Sequence, residues 1–135
     1  MTQTDPAQVK RTNRILWLAL LASHVVYVAV NLSGVVRTRE EPLDLPVFPI
    51  ALAVVALATG VGSHLYWRRA SGAGRPIHSS PPDPAASFTS YMLAWVFDES
   101  IAIYGLMLGL LAFPVDVWVP FSLAAFVLML VHRPS

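Results

Sequence analysis

Apolar residues in this chain gather into four long blocks rather than into stripes. They run from about Ile15 to Val36, Val47 to Trp67, Ala85 to Phe113 and Val115 to Val131. Neither the period-two alternation of a half-buried strand nor the one-sided face of an amphipathic helix is present. Each block therefore reads as a helix with apolar surroundings on every side. A bilayer crossing takes about 20 apolar residues, a length the first three blocks reach, while the fourth is the shortest and weakest. Polar segments separate them: the arm 1–14, a charged loop from Arg37 to Pro46, and a Gly, Ser and Pro-rich loop from Ala70 to Pro84. Pro114 and Pro120 bracket a turn that holds Asp116 and Trp118, ahead of or at the start of the last block. The pattern predicts an all-α membrane protein, a four-transmembrane-helix bundle over residues 15–133 behind a polar cytoplasmic arm.

Composition agrees. Hydrophobic residues make up 56% of the chain, against roughly 45–50% for an ordinary soluble domain even with glycine counted. The formal net charge is +1, which gives no reason to expect a nucleic-acid partner. Cysteine is absent, so disulfides, thiolate metal sites and cysteine nucleophiles are excluded. The first block is too long for a signal-peptide core and reads as a true span. Lys10, Arg11, Arg14, Arg68, Arg69, Arg75 and Arg133 fall on one side of a four-span arrangement, with only Arg37 and Arg39 opposite. By the positive-inside rule both termini are cytoplasmic, and the expected location is the inner (plasma) membrane, multi-pass.

Against this background one stretch stands out. Trp95-Val-Phe-Asp-Glu-Ser-Ile-Ala-Ile-Tyr-Gly105 sets Asp98 and Glu99 in the middle of the third block. A carboxylate at such depth costs about 2.5–3.5 kcal/mol on insertion scales, and residues this unfavourable usually carry ions, relay protons or pair with a buried partner. The two side chains stand about 100° apart on a helix, so they face different surroundings. Ala102, Gly105 and Gly109 form a narrow flank that suits close packing against another helix, as do Gly60 and Gly62 in the second block.

Glu99-Ser-Ile-Ala-Ile-Tyr-Gly-Leu106 resembles the ion-carrying helix of the rotor-ring proteolipid, subunit c, of F-type and V-type ATP synthases. There an acid is followed five residues later by Tyr and then commonly by Gly-Leu. The resemblance covers Ala94 to about Phe113. It implies that Glu99 is a reversible ion carrier supported by Tyr104, with Ser100 at a position where sodium-binding rings place a ligand. The partner-helix glutamine of those rings has no counterpart here, so the implied ion is the proton rather than sodium. A homo-oligomer, or assembly with other membrane subunits, is implied too. The chain departs from the family in carrying its acid on a third span with extra helices on either side. No catalytic activity of its own is expected beyond membership of an ion-translocating ATPase.

Other residues extend the picture. His24 and His64 are candidate proton relays; a polar bridge between helices is the plainer reading of His24, and either is a candidate partner for a carboxylate. His78 and His132 are expected at the solvent. Four scattered histidines have no metal-ligand spacing, and no cofactor is expected. Two alternatives to proton translocation stay open: a non-transporting membrane scaffold or accessory subunit, and a small proton-coupled transporter.

Overall fold

The computed structural model describes residues 6–36, 41, 44–73 and 84–134. The loop residues Arg37, Arg39, Glu40, Arg75 and His78 lie outside the described residues. Four helices and no strand are found among the described residues: α1 (Pro6–Ser33), α2 (Val47–Ser71), α3 (Pro84–Leu110) and α4 (Val115–Val131). The helices α1, α2 and α3 are long and apolar enough to cross a membrane, which marks the chain as a membrane protein.

Local chemistry sets the ends. Helix α1 begins at Pro6, well inside the polar arm, because the missing N–H of proline is harmless in a first turn. It stops at Ser33, short of Val36, where Gly34 turns left-handed at φ 63°. Helix α2 continues past Trp67 through Arg68 and Arg69 to a left-handed Gly72. Helix α3 ends at Leu110 rather than Phe113. The Ala112 N–H bonds to Gly109 O at 3.1 Å and the Phe113 N–H to Leu108 O at 3.0 Å, the paired bonds of a Schellman stop. Ala112 takes the left-handed position at φ 63°, where glycine would be unstrained. Helix α4 begins at Val115 and runs straight through Pro120.

Helix α3 is the hub. It packs on all three others, whereas α1 and α2 make no contact among the described residues. The burial pattern is inverted relative to a soluble bundle. Val25, Val26, Val54, Leu57, Val96 and Leu123 are among many large apolar side chains that face outward, while Asp98, Ser63 and His132 are fully buried. Such a surface suits lipid. Two apolar clusters fill the interior. Leu16, Trp17, Trp67, Ala70, Tyr91, Trp95 and Met129 meet at the end that carries Arg14, Arg68 and Arg133, and Ile101, Leu108, Phe113, Trp118 and Phe121 meet towards the other. Polar side chains of all four helices lie between them.

Helix α4 has 17 residues, about 25 Å at 1.5 Å per residue, against a hydrocarbon core of about 30 Å. Its last carbonyls, which have no helical partner, end inside the bundle. Two indoles satisfy them: Trp17 Nε1 donates to Met129 O at 2.8 Å and Trp95 Nε1 to His132 O at 2.9 Å. His132, the residue after α4, lies beside Asp98.

Of the small residues, two are pressed. A Cβ on Gly105 would stand 2.8 Å from Ser122 Oγ and 3.1 Å from both Phe121 Cβ and Trp118 O. One on Gly109 would overlap the Asn31 amide, whose Nδ2 donates to Gly105 O at 3.1 Å. The Gly-x-x-x-Gly pair therefore admits α4 at one step and α1 at the other. Gly60 and Gly62 line helix contacts more loosely: a Cβ on Gly60 would come no closer than 3.5 Å, to Leu128, and one on Gly62 no closer than 3.4 Å, to Phe97.

Candidate functional site

Asp98 and Glu99 diverge from α3 into two separate polar clusters. Glu99 faces α1. Its Oε1 accepts a hydrogen bond from Ser23 Oγ at 2.7 Å, and His24 Nδ1 lies 3.2 Å from Oε2. The imidazole is close enough to pair but is not aligned as a hydrogen bond, since the same Nδ1 stands 2.8 Å from Leu20 O. Tyr27 stands one turn beyond Ser23 on the same face of α1. His24 is buried and its Nε2 has no partner. The Glu99 side chain keeps 13% of its surface exposed.

Asp98 faces α2 and the end of α4. Oδ1 accepts from Ser63 Oγ at 2.6 Å, and Oδ2 accepts from His132 Nδ1 at 2.9 Å. Ser63 Oγ also lies 3.0 Å from His132 Nδ1 and 3.0 Å from Ala94 O. The other ring nitrogen of His132 meets His64 Nδ1 at 3.4 Å, and the Trp67 ring stacks on His132 at 5.4 Å between centroids. Serine, histidine and aspartate together do not make a hydrolytic triad here. Ser63 and Asp98 both address the same nitrogen, whereas a triad needs its serine on the far one.

The two clusters share one chemical device. A serine hydroxyl has a single proton to give, yet each serine faces both a carboxylate and a backbone carbonyl: Ser23 has Glu99 and Leu20 O at 2.6 Å, Ser63 has Asp98 and Ala94 O. With the carboxylate ionised, the serine donates to it. With the carboxyl protonated, the acid donates to the serine, which turns its own proton to the carbonyl. Each acid therefore has a hydrogen bond in either charge state, so protonation leaves no orphaned group at this contact.

The expected site is only partly assembled in this way. Asp98 and Glu99 do face different surroundings, and His24 does meet Glu99. Ser100 is engaged on its own helix, donating to Val96 O at 2.8 Å. Tyr104 stands about 140° round the helix from Glu99 and packs against the Ile101–Phe121 cluster. Neither hydrogen-bonds to Glu99, whose hydrogen bond comes from Ser23 of α1 instead. His64 meets neither carboxylate directly. His132, expected at the solvent, is fully buried against Asp98, because Ser63, Trp67 and Trp95 close round it as well. The pairing of Ser23 with His24 and Tyr27 on one face of α1 was the unread signal for the Glu99 cluster. No group of three or more His, Asp or Glu side chains that would hold a metal occurs among the described residues.

No protein family, curated protein or solved structure matches the chain.

Proposed function

We propose that this protein carries protons across a membrane through Glu99, with Asp98 as a second protonatable group. The single observation behind the reading is the serine device. It gives each intramembrane carboxyl a partner whether charged or neutral, which a fixed ion pair does not need and a reloadable carrier does. His24 lies 3.2 Å from Glu99 through Nδ1, which donates to Leu20 O and so presents its N–H side to the carboxylate, while Nε2 is unpartnered. The likeness of residues 99–106 to the rotor-ring proteolipids supports the same role for Glu99, although its partners here come from α1 of the same chain. The clustering of Arg14, Arg68, Arg69 and Arg133 at one end supports cytoplasmic termini and an inner (plasma) membrane location. Contacts between the lipid-facing helices of several copies would complete a homo-oligomer.

A second reading, a non-transporting scaffold, draws on the fully buried Asp98–Ser63–His132 contacts, which tie α2, α3 and α4 together. Proton flux separates the two. In liposomes holding a pH-sensitive dye and driven by a potassium diffusion potential, the wild-type protein should acidify the lumen and Glu99→Gln should fall to the rate of empty vesicles. Equal rates for wild type, Glu99→Gln and empty vesicles would leave the scaffold reading.

A further inference from the structure

The carrier site needs an exit, and His132 has both ring nitrogens engaged in a way that offers one. Nδ1 lies 2.9 Å from Asp98 Oδ2, and Nε2 lies 3.4 Å from His64 Nδ1. His132 is fully buried, whereas His64 is exposed. His64 stands one turn before Trp67 and Arg68 on α2, seven residues from the end of the helix at Ser71, or about 10 Å along the axis. We infer that Asp98, His132 and His64 form a proton conduit between the buried Asp98 carboxyl and the basic end of the bundle, with His64 as its mouth. The inference rests on the proton-carrier reading above and adds the route to it.

Imidazole suits this position because it accepts a proton at one nitrogen and releases one from the other. Inward, protonated His64 gives its Nδ1 proton to His132 Nε2, and His132 gives its Nδ1 proton to Asp98 Oδ2. The step ends with His64 and Asp98 neutral and His132 in its other tautomer. One positive and one negative charge have been cancelled, and no bond other than N–H and O–H has changed. Ser63 then accepts from the new Asp98 hydroxyl or turns to Ala94 O, as described above. After onward transfer from Asp98, a turn of the His132 ring restores the first arrangement; reversal of the steps only hands the same proton back to His64. Joining the conduit to Glu99, which faces the other cluster, requires the proton to cross α3 as one of the two carboxyl side chains turns.

The groups facing His132 are few. Helix α3 presents Asp98 and Trp95, and α2 presents Ser63, His64 and Trp67. Helix α1 brings Trp17 to the neighbouring Met129 carbonyl. Arg14 and Arg133 share a surface recess with Trp17. No second acid contacts His132 among the described residues, so the only anionic terminus of the line is Asp98.

His64→Gln is the informative variant because the side chain is exposed and its loss should not unfold the bundle. In the same dye-loaded liposomes, His64→Gln should slow flux about tenfold or more, in line with losing one positioned proton-transfer group. Added imidazole should restore much of the rate in His64→Gln and none in Glu99→Gln. A His64→Gln protein that conducts like wild type, while Glu99→Gln is inactive, overturns the conduit and leaves the carrier standing. Absence of flux from the wild type removes the carrier reading and the conduit with it. His132→Gln is less informative because the ring also anchors α4. In ¹⁵N-histidine-labelled protein, nitrogen–nitrogen coupling across the His64–His132 contact is expected, and its absence also counts against the conduit.

Discussion

Asp98→Ala should strip about 2–4 kcal/mol from the stability of the bundle, from the lost hydrogen bonds to the carboxylate and the cavity left behind. The substitution empties a fully buried space between α2, α3 and α4. It takes the carboxylate from His132 Nδ1 and Ser63, which keep only each other at 3.0 Å and the Ala94 carbonyl. His132 also carries the carbonyl that Trp95 caps, so the end of α4 loses its anchor at the same time. Asp98→Asn keeps the shape. The amide oxygen accepts from His132 and the amide nitrogen donates to Ser63, leaving one N–H unmet at a cost of about 1–2 kcal/mol. Loss of helicity on titration with a denaturing detergent should therefore come much earlier for Asp98→Ala than for Asp98→Asn. Equal midpoints for the two variants would mean that the polar cluster does not hold the helices.

The second large effect is expected at Gly105. A methyl there meets Ser122 Oγ, which can rotate, but also Phe121 Cβ and Trp118 O, which move only with α4. Overpacking of this kind destabilises by about 1–3 kcal/mol. Gly60→Ala is the matched control. Its methyl would find only Leu128 Cδ1 at 3.5 Å and Ile101 Cδ1 at 3.7 Å, and alanine favours a helix over glycine by up to about 1 kcal/mol. Thermal unfolding in detergent should fall for Gly105→Ala and hold or rise for Gly60→Ala. Because Ser122 Oγ is buried and has no hydrogen-bond partner, Ser122→Ala in the Gly105→Ala background should recover part of the loss.

Much of this architecture was legible in the chain because membrane helices are written as blocks. The starts at Val47 and Val115 and the end at Val131 follow from the prolines and charges around them. The divergence of Asp98 and Glu99 follows from helix geometry alone. Their partners were less accessible. Ser23 and Ser63 look like ordinary small polar residues in an apolar run, and only their placement opposite an acid reveals a role. His132 sits after the last apolar residue, where a solvent position is the natural reading. What contradicts that reading is tertiary packing: Ser63, Trp67, Trp95 and Asp98 surround the residue that follows α4. Tyr104 shows the limit of a local motif, since its spacing from Glu99 matches the proteolipid pattern while its side chain turns to a different face.

The central claim is that Glu99 and Asp98 gain and lose protons inside the bundle, and infrared difference spectroscopy of the reconstituted protein across a pH titration tests it most directly. The account predicts a protonated-carboxyl carbonyl band that rises and falls reversibly, loses one component in Glu99→Gln and the other in Asp98→Asn. A spectrum with no titrating band from either residue would contradict it.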